Sequence, residues 1–190
     1  SSALPDVPTG SLTLEKTGAA LAALLPDNAI IVDESVTSSS PLVEATRAAR
    51  RQEWLHVAGG AIGSGLPCAV GGASLAGAKR QVVCLTGDGS AMYTVQSLWT
   101  MARENLDVVT IVFANRGYQI LHLELANVGV DQAGRNAGRM FDVDNPALDW
   151  VALANGHGVA AECVSDMDGF VAALRKGLAT RDPYLIEVIC

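Results

Sequence analysis

Basic side chains are scarce in this sequence: 13 Lys and Arg against 20 Asp and Glu, a net charge of −7 over 190 residues. An acidic chain repels a phosphate backbone, which argues against nucleic acid as a partner. A phosphorylated ligand would instead have to be held by backbone N–H groups and a metal. Cysteine is sparse as well. Cys68, Cys84, Cys163 and Cys190 are scattered with no C-x-x-C pair, so they read as small buried apolar residues of a reducing compartment rather than a disulfide framework or a zinc site. No apolar run approaches the ~20 residues that span a bilayer, and no signal peptide is recognisable. A cytoplasmic protein without a membrane partner is expected. Charged residues are only 17% while hydrophobic ones reach 49%, which excludes disorder and requires a large core. The chain starts Ser-Ser-Ala-Leu-Pro without a methionine and is expected to be a piece of a longer one.

Residues 1–11, rich in Pro, Ser and Gly, read as a linker, and residues 12–190 as a single domain. A helical pattern runs from Leu12 to Leu25, with Ser11 or Thr13 available as its cap. Apolar, β-branched runs without alternation follow at Ala29–Val32, Gln81–Thr86 and Val108–Phe113, as expected of strands buried on both faces. Val159–Val164 and Tyr184–Ile189 complete the set. Helical patterns separate them: Ser90–Arg103, with Ala91, Val95, Leu98, Trp99 and Ala102 on one face, then Pro146–Asn155 capped by Asn145, then Met167–Ala179. Strands alternating with helices predict a doubly wound α/β domain with a mostly parallel sheet covered on both faces. Residues Val128 to Asn145 show weak periodicity and read as a long loop, either a lid or a segment that is disordered until a cofactor binds.

In such sheets ligands bind beyond the carboxyl ends of the strands, and three segments at those ends carry unusual residues. Gly87-Asp88-Gly89-Ser90 follows a strand and opens a helix, so free N–H groups and the positive end of the helix dipole meet an anion there. Ala114-Asn115-Arg116-Gly117-Tyr118 follows the next strand. Asn115 stands 27 residues after Asp88, about what one helix and one strand consume in a right-handed crossover. Neighbouring strands would bring the two side chains within ~5 Å in the sheet direction. A carboxylate, an amide oxygen and a backbone carbonyl are hard donors suited to Mg²⁺ or Ca²⁺, with ligand oxygens and water completing the shell. The third segment, Gly59-Gly60-Ala61-Ile62-Gly63-Ser64-Gly65-Leu66-Pro67, precedes a helix of small residues.

A Gly-Asp-Gly followed some two dozen residues later by Asn resembles the thiamine diphosphate (ThDP) motif of the pyruvate decarboxylase, acetolactate synthase and benzoylformate decarboxylase superfamily. The resemblance implies that Asp88, the Asn115 side chain and the Gly117 carbonyl hold Mg²⁺, and that Gly87, Gly89, Ser90, Tyr118 and Ile120 belong to the cofactor site. The family's usual Asn-Asn is Ala114-Asn115 here, a change at a supporting position rather than at the ligand. By the same resemblance Gly60, Ala61 and Ile62 would contact the aminopyrimidine, with the Ile62 side chain wedged between the two rings. The run Glu34-Ser35-Val36-Thr37-Ser38 is similar to a hydroxyl-bearing loop that reaches the diphosphate through Thr37 and Ser38, although such hydroxyls also suit helix caps.

The resemblance implies a decarboxylase or carboligase acting on a small 2-oxo acid. In that superfamily a glutamate from a separate pyrimidine-binding domain activates the cofactor, and no segment here resembles that domain. The chain alone is therefore expected to be inactive and to work as part of a homodimer or homotetramer. Leu121 stands where pyruvate decarboxylases carry a glutamate, which favours an acetolactate-synthase-like or benzoylformate-decarboxylase-like enzyme. The former usually show Gln-Trp-Glu near Leu123-Glu124, and the Trp is missing here. A non-catalytic ThDP-binding regulatory module and a separately encoded subunit remain as alternatives, and so does a flavodoxin-like or dinucleotide-binding domain, although G-x-G-x-x-G is absent. His56, His122 and His157 are expected to be structural, with no second titratable group beside them.

Overall fold

The five apolar runs form strands in the computed structural model, which describes residues 4–130 and 133–190. They are β1 (Ala29–Glu34), β3 (Val82–Gly87), β4 (Val108–Ala114), β5 (Ala160–Val164) and β6 (Tyr184–Ile189). A sixth, β2 (Gln52–His56), was not foreseen. It lies at the sheet edge with β1 as its one neighbour, and Glu53, Leu55 and His56 stay exposed. An edge strand does not need the unbroken apolar run of a central one. All pairings are parallel, in the order β2-β1-β3-β4-β6-β5.

Successive strand residues point to opposite faces, and two cores result. On one face Val83, Leu85, Ile111 and Phe113 pack with Leu21 of α1 (Leu14–Leu24) and with Phe170 and Leu174 of α9 (Met167–Thr180). On the other, Val82, Cys84, Val108 and Val112 pack with three further helices: Leu66 and Ala69 of α3 (Gly65–Ala76), Leu98 and Met101 of α5 (Ser97–Arg103), and Trp150 of α8 (Trp150–Gly156). The doubly wound, parallel α/β class is thus as expected. From β1 the chain runs outward to β2 and then returns to β3 on the opposite side. The carboxyl ends of β1 and β3 flank that switch point, where such sheets bind ligands.

Several helix boundaries differ from expectation. Thr13 caps α1, its hydroxyl accepting from the Lys16 amide at 3.2 Å. The Ser90–Arg103 stretch is broken into α4 (Asp88–Ala91), a 3₁₀ turn Met92–Thr94, and α5. Consecutive β-branched Thr94 and Val95 weaken the helix there, and the Thr94 hydroxyl donates instead to the Gly63 carbonyl at 2.8 Å. Trp99 consequently leaves the buried face and is 52% exposed. Helix α8 starts at Trp150 rather than Pro146, because the Asp149 carboxylate accepts from the Ala152 amide at 2.8 Å and caps it. The stretch read as a long loop begins just after α6 (Gln119–Asn127) and contains α7 (Arg135–Phe141), with residues 131–132 outside those described.

Residues 1–3 of the expected linker are likewise outside. At its other end the Gly10 carbonyl accepts from the Met167 amide, and Ser11 bridges to Asp166. Of the cysteines only Cys84 is buried, and burial pushes its thiol up; Cys68, Cys163 and Cys190 are exposed, contrary to the reading of all four as core residues. Among the described residues, no helix is long and apolar enough to cross a membrane.

Candidate cofactor site

Strand β3 ends at Gly87 and the chain turns at once into α4, leaving Asp88 only 2% exposed. Its carboxylate Oδ1 accepts from the Gly89 amide at 2.8 Å, and Oδ2 from the Arg116 amide at 2.7 Å. Pairing of Gly87 with Phe113 sets Asp88 level with Ala114, one residue short of Asn115. The crossover therefore brings the two expected ligands together, as the 27-residue spacing required. Burial pushes the Asp88 carboxyl up from its ordinary value, against the opposing pull of the Gly89 and Arg116 amides. A bound cation would relieve that cost of desolvation.

The Asn115 side chain folds back, its Oδ1 accepting from the Gly117 amide at 3.1 Å. Arg116 adopts φ +58°, turning the chain so that its amide reaches Asp88. Its carbonyl accepts from Val143, and the Tyr118 amide donates to the Phe141 carbonyl at 2.7 Å. The stretch after α7 thus clamps the loop that carries Asn115. The Tyr118 ring lies against Gly89, where an added Cβ would come within 2.6 Å of it. Burial raises the Tyr118 hydroxyl, with Tyr93 beside it. Across the cleft, Gly63 (φ +91°) packs equally tightly on Tyr93, and the Ile62 amide donates to the Gly60 carbonyl at 3.1 Å.

Eleven of the expected residues line one cleft: Thr37, Ser38, Ile62, Gly87, Asp88, Gly89, Ser90, Asn115, Gly117, Tyr118 and Ile120. Gly60 and Ala61 do not line it; they sit exposed at and just after a 3₁₀ turn, Ala58–Gly60. Ser35, Val36, Phe113 and Gln119 also line the cleft and were missed. Gln119 and Phe113 directly flank the Asn115 loop, and that proximity in sequence was the available signal. Val36 is unusual in its own right, a β-branched residue at φ +48°, a conformation retained only where the surroundings impose it.

Two of the three histidines do have acidic neighbours, which corrects the expectation of isolated rings. His56 Nδ1 lies 3.1 Å from Asp33, and His122 Nε2 lies 3.8 Å from Asp142 while its ring packs edge-on against Phe141. His157 bonds through Nδ1 to the Leu153 carbonyl within its own helix end. Among the described residues, no group of three or more His, Cys, Asp or Glu is disposed to hold a metal. A hard cation at Asp88 would rely on the Asn115 amide oxygen, a backbone carbonyl and oxygens brought by its ligand, a donor set that suits Mg²⁺ bridging to a diphosphate.

Fold and cleft define a doubly wound α/β domain with a candidate ligand site at the switch point of a parallel sheet. Residues 36–188 match the family described as "Thiamine pyrophosphate enzyme, C-terminal TPP binding domain", and the chain belongs to that family. It is 46% identical over 186 residues to the "Putative acetolactate synthase large subunit IlvX" of Mycobacterium tuberculosis, covering 97% of this chain and 36% of that protein. It is 35% identical over 166 residues to the benzoylformate decarboxylase of Pseudomonas aeruginosa, covering 87% of this chain and 30% of that protein. In solved structures the fold is similar to the ThDP-dependent 4-hydroxybenzoylformate decarboxylase of Rhodococcus jostii RHA1, with a TM-score of 0.80 and 33% identity over 96% of this chain and 33% of that one. The chain thus spans about a third of the length of these relatives.

Proposed function

We propose that the chain is the Mg²⁺- and diphosphate-binding part of a 2-oxo acid decarboxylase or carboligase, of the acetolactate synthase or benzoylformate decarboxylase kind. The observation that carries this reading is the pairing of the buried Asp88 carboxylate with the Asn115 loop at the ends of adjacent strands. In this reading Asp88, the Asn115 amide oxygen and the Gly117 carbonyl hold Mg²⁺. The backbone at Gly87, Gly89 and Ser90, with the hydroxyls of Thr37 and Ser38, takes the diphosphate. Ile62 separates the rings, Gly60 and Ala61 meet the aminopyrimidine at the open edge, and Tyr118 and Ile120 wall the thiazolium side. When bound, ThDP supplies the electron sink for decarboxylation, while the protein supplies orientation and electrostatics.

The proton exchange that activates the pyrimidine belongs, on this reading, to a glutamate of another domain packed against this one. Tyr93, Trp99, Leu121 and Leu123 are large apolar groups left 40–61% exposed, the kind of surface that a partner segment covers. We place the assembly in the cytoplasm as a homodimer or homotetramer. The test is to incubate the 190-residue chain with Mg²⁺, ThDP and a panel of 2-oxo acids, following CO₂ release, and then to add the pyrimidine-binding segment of a full-length relative. Activity is expected only after the addition, because general acid–base help is worth about 10²–10⁴-fold and an open half-site leaves the reacting centre in water. Ordinary enzymatic turnover by the chain alone would overturn the reading.

Ile62 gives a sharper test within the same assembly. Its half-buried side chain faces the cleft. Ile62→Ala is expected to leave diphosphate affinity nearly unchanged and to lower turnover, whereas Ile62→Met, which retains volume, is tolerated. Normal turnover in the alanine variant would show a packing role only.

A further inference from the structure

Asp33 and Glu34 end β1 as two consecutive carboxylates, 2% and 0% exposed, and neither lines the cleft. Adjacent strand residues project to opposite faces, so the two acids reach different loops. Asp33 Oδ1 accepts from the Ser35 amide at 3.0 Å and the Ser35 hydroxyl at 2.6 Å. Its Oδ2 accepts from the Ser39 hydroxyl and from His56 Nδ1 at 3.1 Å. These bonds grip the chain on both sides of Val36, the residue held at φ +48°. Glu34 Oε1 accepts from the amides of Ser64 at 2.7 Å and Gly65 at 3.0 Å, and from the Ser64 hydroxyl at 3.2 Å. Its Oε2 accepts from the Thr86 hydroxyl at 3.1 Å. Gly65 permits the approach, since a Cβ there would stand 2.8 Å from that carboxylate.

Each acid is thus buried and saturated with donors from a loop beside the cleft. Bonds of this charge-assisted kind are the stronger ones, and they explain how a strained turn and a glycine-rich loop keep one shape. We infer that Asp33 and Glu34 are positioning residues with divided duties. Asp33 presets the Ser35–Ser38 turn that meets the diphosphate, and Glu34 presets the Ile62–Gly65 stretch that meets the ring end of the cofactor. This rests on the ThDP reading of the cleft.

The division can be read with two probes in Mg²⁺, ThDP and inorganic pyrophosphate, titrated calorimetrically into the chain. Asp33→Ala is expected to weaken both about tenfold, since both ligands use the hydroxyl turn. Glu34→Ala is expected to weaken ThDP about tenfold and leave pyrophosphate within about twofold, on the scale of lost supporting contacts. Asp33→Asn and Glu34→Gln, which keep an acceptor oxygen, should restore most of each loss. Should the alanine variants fail to fold, Ser39→Ala and Ser64→Ala, each removing a single donor, carry the same pattern at smaller amplitude. Parent-like binding of both probes by every folded variant would overturn the inference. So would equal loss of both probes at the two positions, which marks general destabilisation. Parent protein that binds neither probe would instead bring down the ThDP reading, and this inference with it.

Discussion

Asp88→Ala is expected to lower affinity for ThDP in Mg²⁺ by at least ~100-fold, about 2.7 kcal/mol. A ligand carboxylate contributes more than the 10–100-fold attached to the groups that merely orient a metal's ligands. Among the described residues Asp88 is also the one acidic side chain lining the cleft, so no other protein carboxylate there replaces it. The variant further frees the Gly89 and Arg116 amides and loosens the turn that presents Asn115. Calorimetry on parent and variant, with circular dichroism to show that both are folded, checks the outcome. A folded Asp88→Ala chain that binds ThDP as the parent does would remove the metal from the account.

Gly89→Ala should be the most damaging methyl addition among the glycines that line the cleft. The new Cβ would stand 2.6 Å from one atom of the Tyr118 ring and 3.0 Å from two more, so the ring must shift. The ring lies on the Gly89 backbone, its hydroxyl 3.5 Å from the Gly89 carbonyl, so the methyl has to displace it. Overpacking of this kind costs about 1–3 kcal/mol, and the displaced ring drags the Asn115 loop away from Asp88. Urea denaturation and ThDP titration should both report the damage. The control is Tyr118→Ala: with the ring gone, adding the methyl at position 89 should cost within about 0.5 kcal/mol of nothing, since coupling appears only between residues in contact. Full stability and affinity in Gly89→Ala alone would show that the ring does not pin the turn.

What the sequence disclosed and what it withheld divide along physical lines. The central strands were legible because burial on both faces forces an unbroken apolar run, as in Val108–Ala114. Strand β2 was hidden because an edge strand bears no such constraint. The juxtaposition of Asp88 with Asn115 was legible because one helix and one strand consume a fixed length of chain. The break at Met92–Thr94 was not, because it depends on Gly63, a residue 31 positions away from Thr94. Asp33 and Glu34 were equally silent: Glu34 stood out only as the first residue of the Glu34–Ser38 run, and only the folded loops reveal eight donors converging on the two acids. Local pattern speaks for backbone and for motif spacing; networks assembled across 20–50 residues do not show in it.

On the proposed reading this acidic chain holds ThDP through a cation at Asp88 and Asn115. Titrating ThDP into the chain in Mg²⁺, and again in excess EDTA, tests it most directly. Saturable heat is expected with Mg²⁺ and almost none in EDTA, because no Lys or Arg is among the described residues lining the cleft, and backbone amides and hydroxyls alone leave most of a diphosphate's charge unneutralised. Equal binding in the two buffers would contradict it.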